Sequence, residues 1–358
     1  MKALVLAGGT GSRLHPLTFS LPKQLIPVAG RPVLELCLEN IHALGVREVG
    51  LIVGDHADQI AEVIGDGTRF GLRVTYLRQD RPAGLAHCVL LAQDFLGDED
   101  FVMYLGDNVL VGDLAAAAER FRAERPAARL MVAKVSQPSC YGVAELDAAD
   151  AVLSVAEKAE KPPSDLAIIG VYFFTGAIIE AARKIEPSAR GELEITDAIA
   201  ALIGEGLPVV ASRFSGMWKD TGTVEELLEC NRSLLSELPG RIDGDVDAES
   251  VLRGTVVVEA GASVVRSTIQ GPALIGAGSQ VTDSRIGPSV SIGEDCAVTG
   301  AGVTDSILMA GASVRGLAEV TGSLIGRESE LDSTSAPSTH RLLLGDRSRL
   351  GLTAGPAR

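Results

Sequence analysis

The sequence predicts an α/β protein in two parts: a mostly parallel sheet covered by helices on both faces, then a left-handed parallel β-helix of hexapeptide repeats. Three observations carry this. Strand-like and helix-like runs alternate from residue 1 to about 238. After Pro239-Gly240 the texture changes, and residues 251–326 are dominated by Val, Ile, Gly, Ser and Ala. Within that region short pieces ending at Val264, Val281, Val298 and Val314 recur 17, 17 and 16 residues apart.

In the first part, β-branched and apolar runs place strands at 3–7, 48–53, 72–77, 101–106, 129–135, 167–174 and 208–213. Helices are expected near 33–44, 56–64, 84–94, 112–124, 175–184, 194–204 and 223–237. In the second part an Ile or Val precedes each of the first three hexads, at Val258, Ile275 and Ile292. Such residues stack inside a triangular coil made of three short strands, and neighbouring coils bury one another's apolar face. Four to five coils are expected, with an irregularity near 299–307 that suits a bulge. The tail, 331–358, is polar and then carries Leu342–Leu344, which predicts one added strand and a frayed end at Thr353–Arg358.

At 358 residues the chain has room for two domains, and 46% hydrophobic with 22% charged residues describes an ordinary globular composition. A formal net charge of −15 argues against a nucleic-acid backbone as partner. Anionic small substrates remain compatible with it, given a few placed cations and a divalent metal. The five cysteines are scattered, without a CxxC pair or zinc spacing, so a reduced, cytoplasmic chain is expected. The chain enters a strand at Lys2-Ala3 without a charged region and apolar run of the secretory kind, so no secretory leader is expected, and the absence of a run of about 18 apolar residues argues against a membrane span.

The chemistry is densest in the first 28 residues. Leu4-Val5-Leu6-Ala7 runs from a buried strand straight into Gly8-Gly9-Thr10-Gly11. Three glycines in four positions let the backbone approach a ligand and aim N–H groups at it, which suits a phosphate. Arg13 adds a cation within the loop, and Lys23 adds another ten residues later. The dinucleotide fingerprint fails because Leu14 stands where a glycine is needed, and the P-loop fails because no GK[ST] follows. Simpler roles compete for each residue. Arg13 and Lys23 also suit a solvated surface, Asp107 a turn or cap before the helix near 112, and Asp220 a cap for the helix near 223. Glu157 and Lys158 lie in a charged patch that suits a solvated face, and His15 reads as a structural residue.

LAGGTGSRLHPLT followed by PKQLIPV resembles the signature of the sugar nucleotidyltransferases. The rest of that family's pattern follows in order: Gln79 with PAGLAH, YLGDN (Tyr104–Asn108), YGVAEL (Tyr141–Leu146), VAEK (Val155–Lys158), GELEITD (Gly191–Asp197) and WKDTGT (Trp218–Thr223). With its repeats, the chain most resembles the long-form glucose-1-phosphate thymidylyltransferases. The resemblance implies a Rossmann-like nucleotidyltransferase domain over 1–239, a β-helix over 240–330 and a tail over 331–358. It implies the reaction of glucose 1-phosphate with dTTP to dTDP-glucose and pyrophosphate, in the service of deoxysugar biosynthesis.

By the same resemblance, Arg13, Lys23, Asp107, Lys158 and Asp220 are the catalytic residues, and Asp107 and Asp220 bind Mg²⁺. Leu6, Ala7, Gly8, Gly9, Gly11, Arg13, Gln24, Gln79, Pro82, Gly84 and Asp107 meet the nucleotide. Tyr141, Gly142, Glu157, Lys158 and Trp218 meet the sugar phosphate. Ala159 replaces the proline expected after the lysine, which leaves the local geometry of that half open. UTP or another sugar phosphate, such as glucosamine 1-phosphate, is the alternative within enzymes. A non-catalytic regulatory subunit is the alternative outside them, but it would be expected to lose these cations and carboxylates. A second, acetyl-transferring activity in the repeats would need a histidine base, and residues 88–339 contain none. The partners expected are small substrates and further copies of the chain, with no nucleic acid or membrane. The repeats are expected to support assembly or pack on the catalytic domain, and a 1–240 fragment to keep nucleotide binding if it folds.

Overall fold

Ala3 to Ala7 are all buried, which puts the strand Lys2–Ala7 at the centre of a sheet. The computed structural model describes residues 1–333 and 338–352 and divides the chain into two compact units. The first comprises Met1–Thr10 with Val33–Asp220, and the second Gly11–Pro32 with Thr221 onward.

The first unit holds a nine-stranded sheet. Lys2–Ala7 pairs in parallel with Glu48–Val53 on one side and Phe101–Leu105 on the other, and Arg73–Arg78 extends the parallel half. Helices Val33–Ala43, Ala57–Ile64 and Leu85–Leu91 connect these strands, as the alternation predicts. The sheet as a whole is mixed. Leu166–Phe174 runs antiparallel to Phe101–Leu105, Ala128–Lys134 and Gly142–Leu146. The hairpin of Gly142–Leu146 and Val152–Glu157 is absent from the expected strands. Its runs are only partly buried, so their apolar signal is weak. Asp147 at the turn accepts hydrogen bonds from the backbone N–H groups of Ala149 and Ala151, an Asx-type turn that closes the hairpin. Tyr104, Phe101, Phe173 and Phe174 are among the largest fully buried side chains of the core. All five cysteines are free thiols, and no helix among the described residues is long and apolar enough to cross a membrane.

Among the described residues the second unit carries three parallel sheets of seven, seven and six strands, consistent with a left-handed β-helix. One file of stacked side chains runs Val258, Ile275, Ile292, Leu308, Ile325 and Leu344. A second runs Val246, Val264, Val281, Val298, Val314, Leu331 and Leu350. The helix is therefore longer than the four to five coils expected. Its first coil, Arg241–Ile242 with Asp245–Val246 and Val251–Arg253, is mostly exposed and carries too few apolar residues to be read as a repeat. Among the described residues the tail adds three strands rather than one: Thr339–His340, Leu343–Leu344 and Arg349–Leu352. Thr353–Arg358, expected to fray, lies outside the described residues.

The irregularity near 299–307 is a shortened corner, not a bulge. Ile286 pairs with Val303 and Val290 with Ser306, so one coil turns that corner with one residue fewer than its neighbour. Buried serines satisfy the corners. Ser284 N–H donates to Ser267 Oγ at 3.1 Å and Ala301 N–H to Ser284 Oγ at 3.2 Å, so each coil pairs the next one's backbone away from water. Ile275 is fully buried in this stack. Ile275→Asp puts an unpaired carboxylate there and is expected to cost at least about 3 kcal/mol of stability. Urea unfolding followed by circular dichroism checks this, and a midpoint equal to wild type would contradict the packing.

Candidate active site

The carboxyl ends of parallel strands are where an open α/β sheet presents ligand sites. In the first unit Leu6 and Ala7 are buried in the strand and lead into Gly8, which is half-buried, and Gly9, which is exposed. A side chain at Gly8 would lie 3.2 Å from Gln79 Oε1, so the Gln79 amide sits directly over the loop. Gln79 is buried, and His87 Nδ1 lies 3.1 Å from its Nε2, which orients the amide. His87 lies inside the PAGLAH motif, but nothing in its residue type alone marks it as the partner of Gln79. In the same motif Pro82 is exposed. Gly84 has φ +100°, and a Cβ there would stand 2.3 Å from Leu193 O. Ala86 N–H donates to that carbonyl and Leu193 N–H to Ala83 O, so packing alone demands the glycine.

Asp107 follows the strand Phe101–Leu105 and does not cap a helix. The following helix, Ala115–Glu124, has its Ala115 N–H held by Asp113 Oδ1 at 2.7 Å. Asp220 likewise is not the cap of Val224–Glu237. Thr223 is, accepting from Glu226 N–H at 3.2 Å and donating to Glu226 Oε2 at 2.9 Å. The antiparallel ribbon of Val109–Val111 and Met217–Lys219 pairs Lys219 with Val109. Asp107 and Asp220 thus leave the same end of this ribbon on its two strands. Asn108, buried, links Asp107 to Trp218 on the other strand. Its Nδ2 donates to Asp107 Oδ1 at 2.9 Å, and its Oδ1 accepts from Trp218 Nε1 at 2.6 Å. Tyr141 meets the Trp218 ring edge-on at 5.2 Å.

The hairpin missed in the sequence carries the other half of the first unit's candidates. Gly142 begins its first strand, Glu157 ends its second, and Lys158 follows with φ +42° while its N–H donates to Tyr141 O at 3.1 Å. Lys158 is half-exposed, and its Nζ lies 3.8 Å from Glu157 Oε1. Burial raises the Glu157 pKa, and the Glu194 carboxylate adds to that; Lys158 and Arg190 pull it back down. Arg190 donates to Glu157 Oε1 at 3.3 Å and to the buried Glu194 at 2.8 Å, and Thr196 Oγ1 donates to Glu157 Oε2 at 3.3 Å. Arg190 precedes the GELEITD motif, and Glu194 and Thr196 lie within it. Only the folded hairpin turns them toward Glu157.

In the second unit, Gly11 begins a segment of three short 3₁₀ turns, Ser12–Leu14, Leu17–Phe19 and Lys23–Leu25. Gly11 has φ +65°, and a side chain there would meet Thr18 at 3.0 Å and Lys23 Cβ at 3.1 Å. Thr18 Oγ1 donates to Gly11 O at 2.8 Å and lies 3.1 Å from His15 Nδ1, so His15 takes part in the hydrogen bonding of the loop. Arg13 is exposed and Lys23 half-buried. Gln24 is 1% exposed, and its Oε1 has no hydrogen-bond partner among the described residues, which costs folding free energy.

Residues 2–237 match the nucleotidyl transferase family, and the chain belongs to it. It is 51% identical over 355 residues to the glucose-1-phosphate thymidylyltransferase of Streptomyces griseus, covering 99% of this chain and 100% of that one. It is 52% identical over 352 residues to the enzyme of the same name from Streptomyces antibioticus, covering 98% and 99%. A crystal structure of a Bacillus anthracis protein described as a glucose-1-phosphate thymidylyltransferase, in complex with sucrose, superposes with a TM-score of 0.62 at 32% identity. It covers 67% of this chain and 97% of that one. Enzymes of this family generally depend on a divalent metal.

Proposed function

We propose that this chain is a glucose-1-phosphate thymidylyltransferase acting in the cytoplasm as a homo-oligomer, with its catalytic domain over 1–239. The end-to-end similarity to two enzymes of that activity carries the reading, because it spans the glycine loop, the carboxylates and the repeats alike. A phosphate oxygen of glucose 1-phosphate attacks the α-phosphorus of dTTP in line. The bond from that phosphorus to the bridging oxygen of the β-phosphate breaks, and pyrophosphate leaves.

No covalent enzyme intermediate is needed, so catalysis is positioning and charge neutralisation. The loop N–H groups at Gly8, Gly9 and Gly11 cradle the triphosphate, Arg13 meets the leaving pyrophosphate and Lys23 the α-phosphate. Lys158 holds the sugar phosphate, while Glu157, Gly142, Tyr141 and Trp218 line the sugar. Asp107 and Asp220 fit Mg²⁺, which takes one or two carboxylates and fills its shell with substrate phosphates and water. Bound there, the metal would withdraw charge from the phosphate oxygens. Asn108, bonded to both Asp107 and Trp218, fixes the first carboxylate. The unpartnered Gln24 Oε1 suits the N3–H of thymine or uracil, and the Gln79 amide, with both donor and acceptor, suits a second edge of the base.

Thymine and uracil differ by one methyl group, worth about 10–200-fold in discrimination. Pyrophosphate release measured for dTTP, UTP, GTP and ATP against several sugar 1-phosphates is expected to rank dTTP first, UTP a measurable second and the purines poor. A preference for GTP would overturn the assignment.

A further inference from the structure

The segment Gly11–Pro32 lies within the same compact unit as the β-helix, and the two are joined at two points. At the first, Ser20 Oγ donates to Asp346 Oδ2 at 2.9 Å. Asp346 belongs to the last described coil. It is 7% exposed and is held by Arg327 Nε at 2.9 Å and by the Arg327 backbone N–H at 2.8 Å. Arg327 Nη2 returns to Ser20 O at 3.4 Å, so carboxylate and guanidinium hold the hydroxyl and the carbonyl of one loop residue. Beside them, Gly345 lies so near the loop that a Cβ would stand 3.0 Å from Pro16 O.

At the second point, Ala29 N–H donates to Asn231 Oδ1 at 2.8 Å. Asn231, fully buried on the helix Val224–Glu237, accepts in turn from Ser291 Oγ of the β-helix at 2.6 Å. Ala29, Leu235, Val257 and Leu274 form a small apolar core around that joint. Lys23 and Gln24 lie in the chain between the two points.

We infer that the β-helix is a positioning device for the nucleotide loop, with Asp346, Arg327 and Asn231 as positioning residues that act through Ser20 and Ala29 on Lys23 and Gln24. This rests on the proposed nucleotidyl transfer. The physical reason is the sensitivity of in-line displacement to placement, where a shift of about 1 Å costs about 10²-fold in rate. A loop of single-turn 3₁₀ pieces has little stiffness of its own. A half-buried, charge-assisted hydrogen bond three residues from Lys23 supplies it. The loop's register is thereby set by coils more than 300 residues downstream, and a 1–240 fragment would keep Lys23 and lose the Asp346 and Ser291 ends of both joints.

The test uses the full chain. Asp346→Asn keeps the shape of the side chain and removes its charge, and Ser20→Ala removes the donor without touching a coil. Arg347→Ala is the control, since Arg347 lies next to Asp346 in the last coil, its removal breaks an exposed 2.9 Å ion pair to Glu328 of the preceding coil, and no hydrogen bond or ion pair joins it to a loop residue among the described residues. Both test variants are expected to lose about tenfold in kcat/KM for the nucleotide. The KM for glucose 1-phosphate should stay within about twofold and the double variant be no worse than either single one, because the two share one interaction. The control should change neither constant. Wild-type nucleotide kinetics in Ser20→Ala, or an equal loss in Arg347→Ala, would overturn the inference. If the wild-type chain made no dTDP-glucose, the functional reading would fail by itself. Calorimetric binding of whichever triphosphate the wild-type chain binds best would then compare the same variants.

Discussion

Asp107→Asn is expected to leave the fold intact and reduce turnover by at least about 10², since metal stabilisation of charge in the transition state is worth several kcal/mol. The substitution is nearly isosteric, and the bond from Asn108 Nδ2 can still be accepted by the new amide oxygen. The strand Phe101–Leu105 that precedes the position is buried. Steady-state pyrophosphate release with circular dichroism as the folding control separates the two effects. Near-normal turnover would falsify the role given to Asp107.

Arg13→Ala and Lys23→Ala are expected to lower kcat by about 10² each, the scale of removing one placed donor from a developing oxyanion. The partners proposed for them are nucleotide phosphates, whose charge shifts as the pyrophosphate leaves, so the loss should fall on the chemical step rather than on sugar-phosphate binding. Arg13 is exposed, and its removal should leave stability unchanged. Lys23→Ala keeps the Cβ that lies beside Gly11 while the ammonium is gone. Single-turnover rates and substrate titrations check both. A variant altered only in its Michaelis constant for glucose 1-phosphate would mean that the two halves of the site had been assigned the wrong way round.

The bond from Ser20 to Asp346 changes how these variants are to be compared with truncations. A shortened chain and a Lys23 variant act on the same loop, one by loosening it and the other by removing its charge. Only the point variant isolates the electrostatic part.

The sequence by itself determined the local and the periodic features of this protein. The buried run Leu4–Ala7, the glycines that follow it and the 17-residue recurrence of Val264, Val281 and Val298 are each encoded in consecutive or evenly spaced residues. Backbone preference and side-chain periodicity act at that range, so both the central strand and the β-helix were legible, as was the family signature that names the site residues. The tertiary structure alone decided what depends on residues distant in the chain. The hairpin carrying Gly142 and Glu157 is half-buried and closed by an Asx turn, so its apolar pattern is too weak to read. The pairing of Asn108 with both Asp107 and Trp218 spans 110 residues. The Ser20–Asp346 bond spans 326, and no local pattern of residues records it. Such contacts exist because burial in a common core brings polar groups together and then requires them to pair.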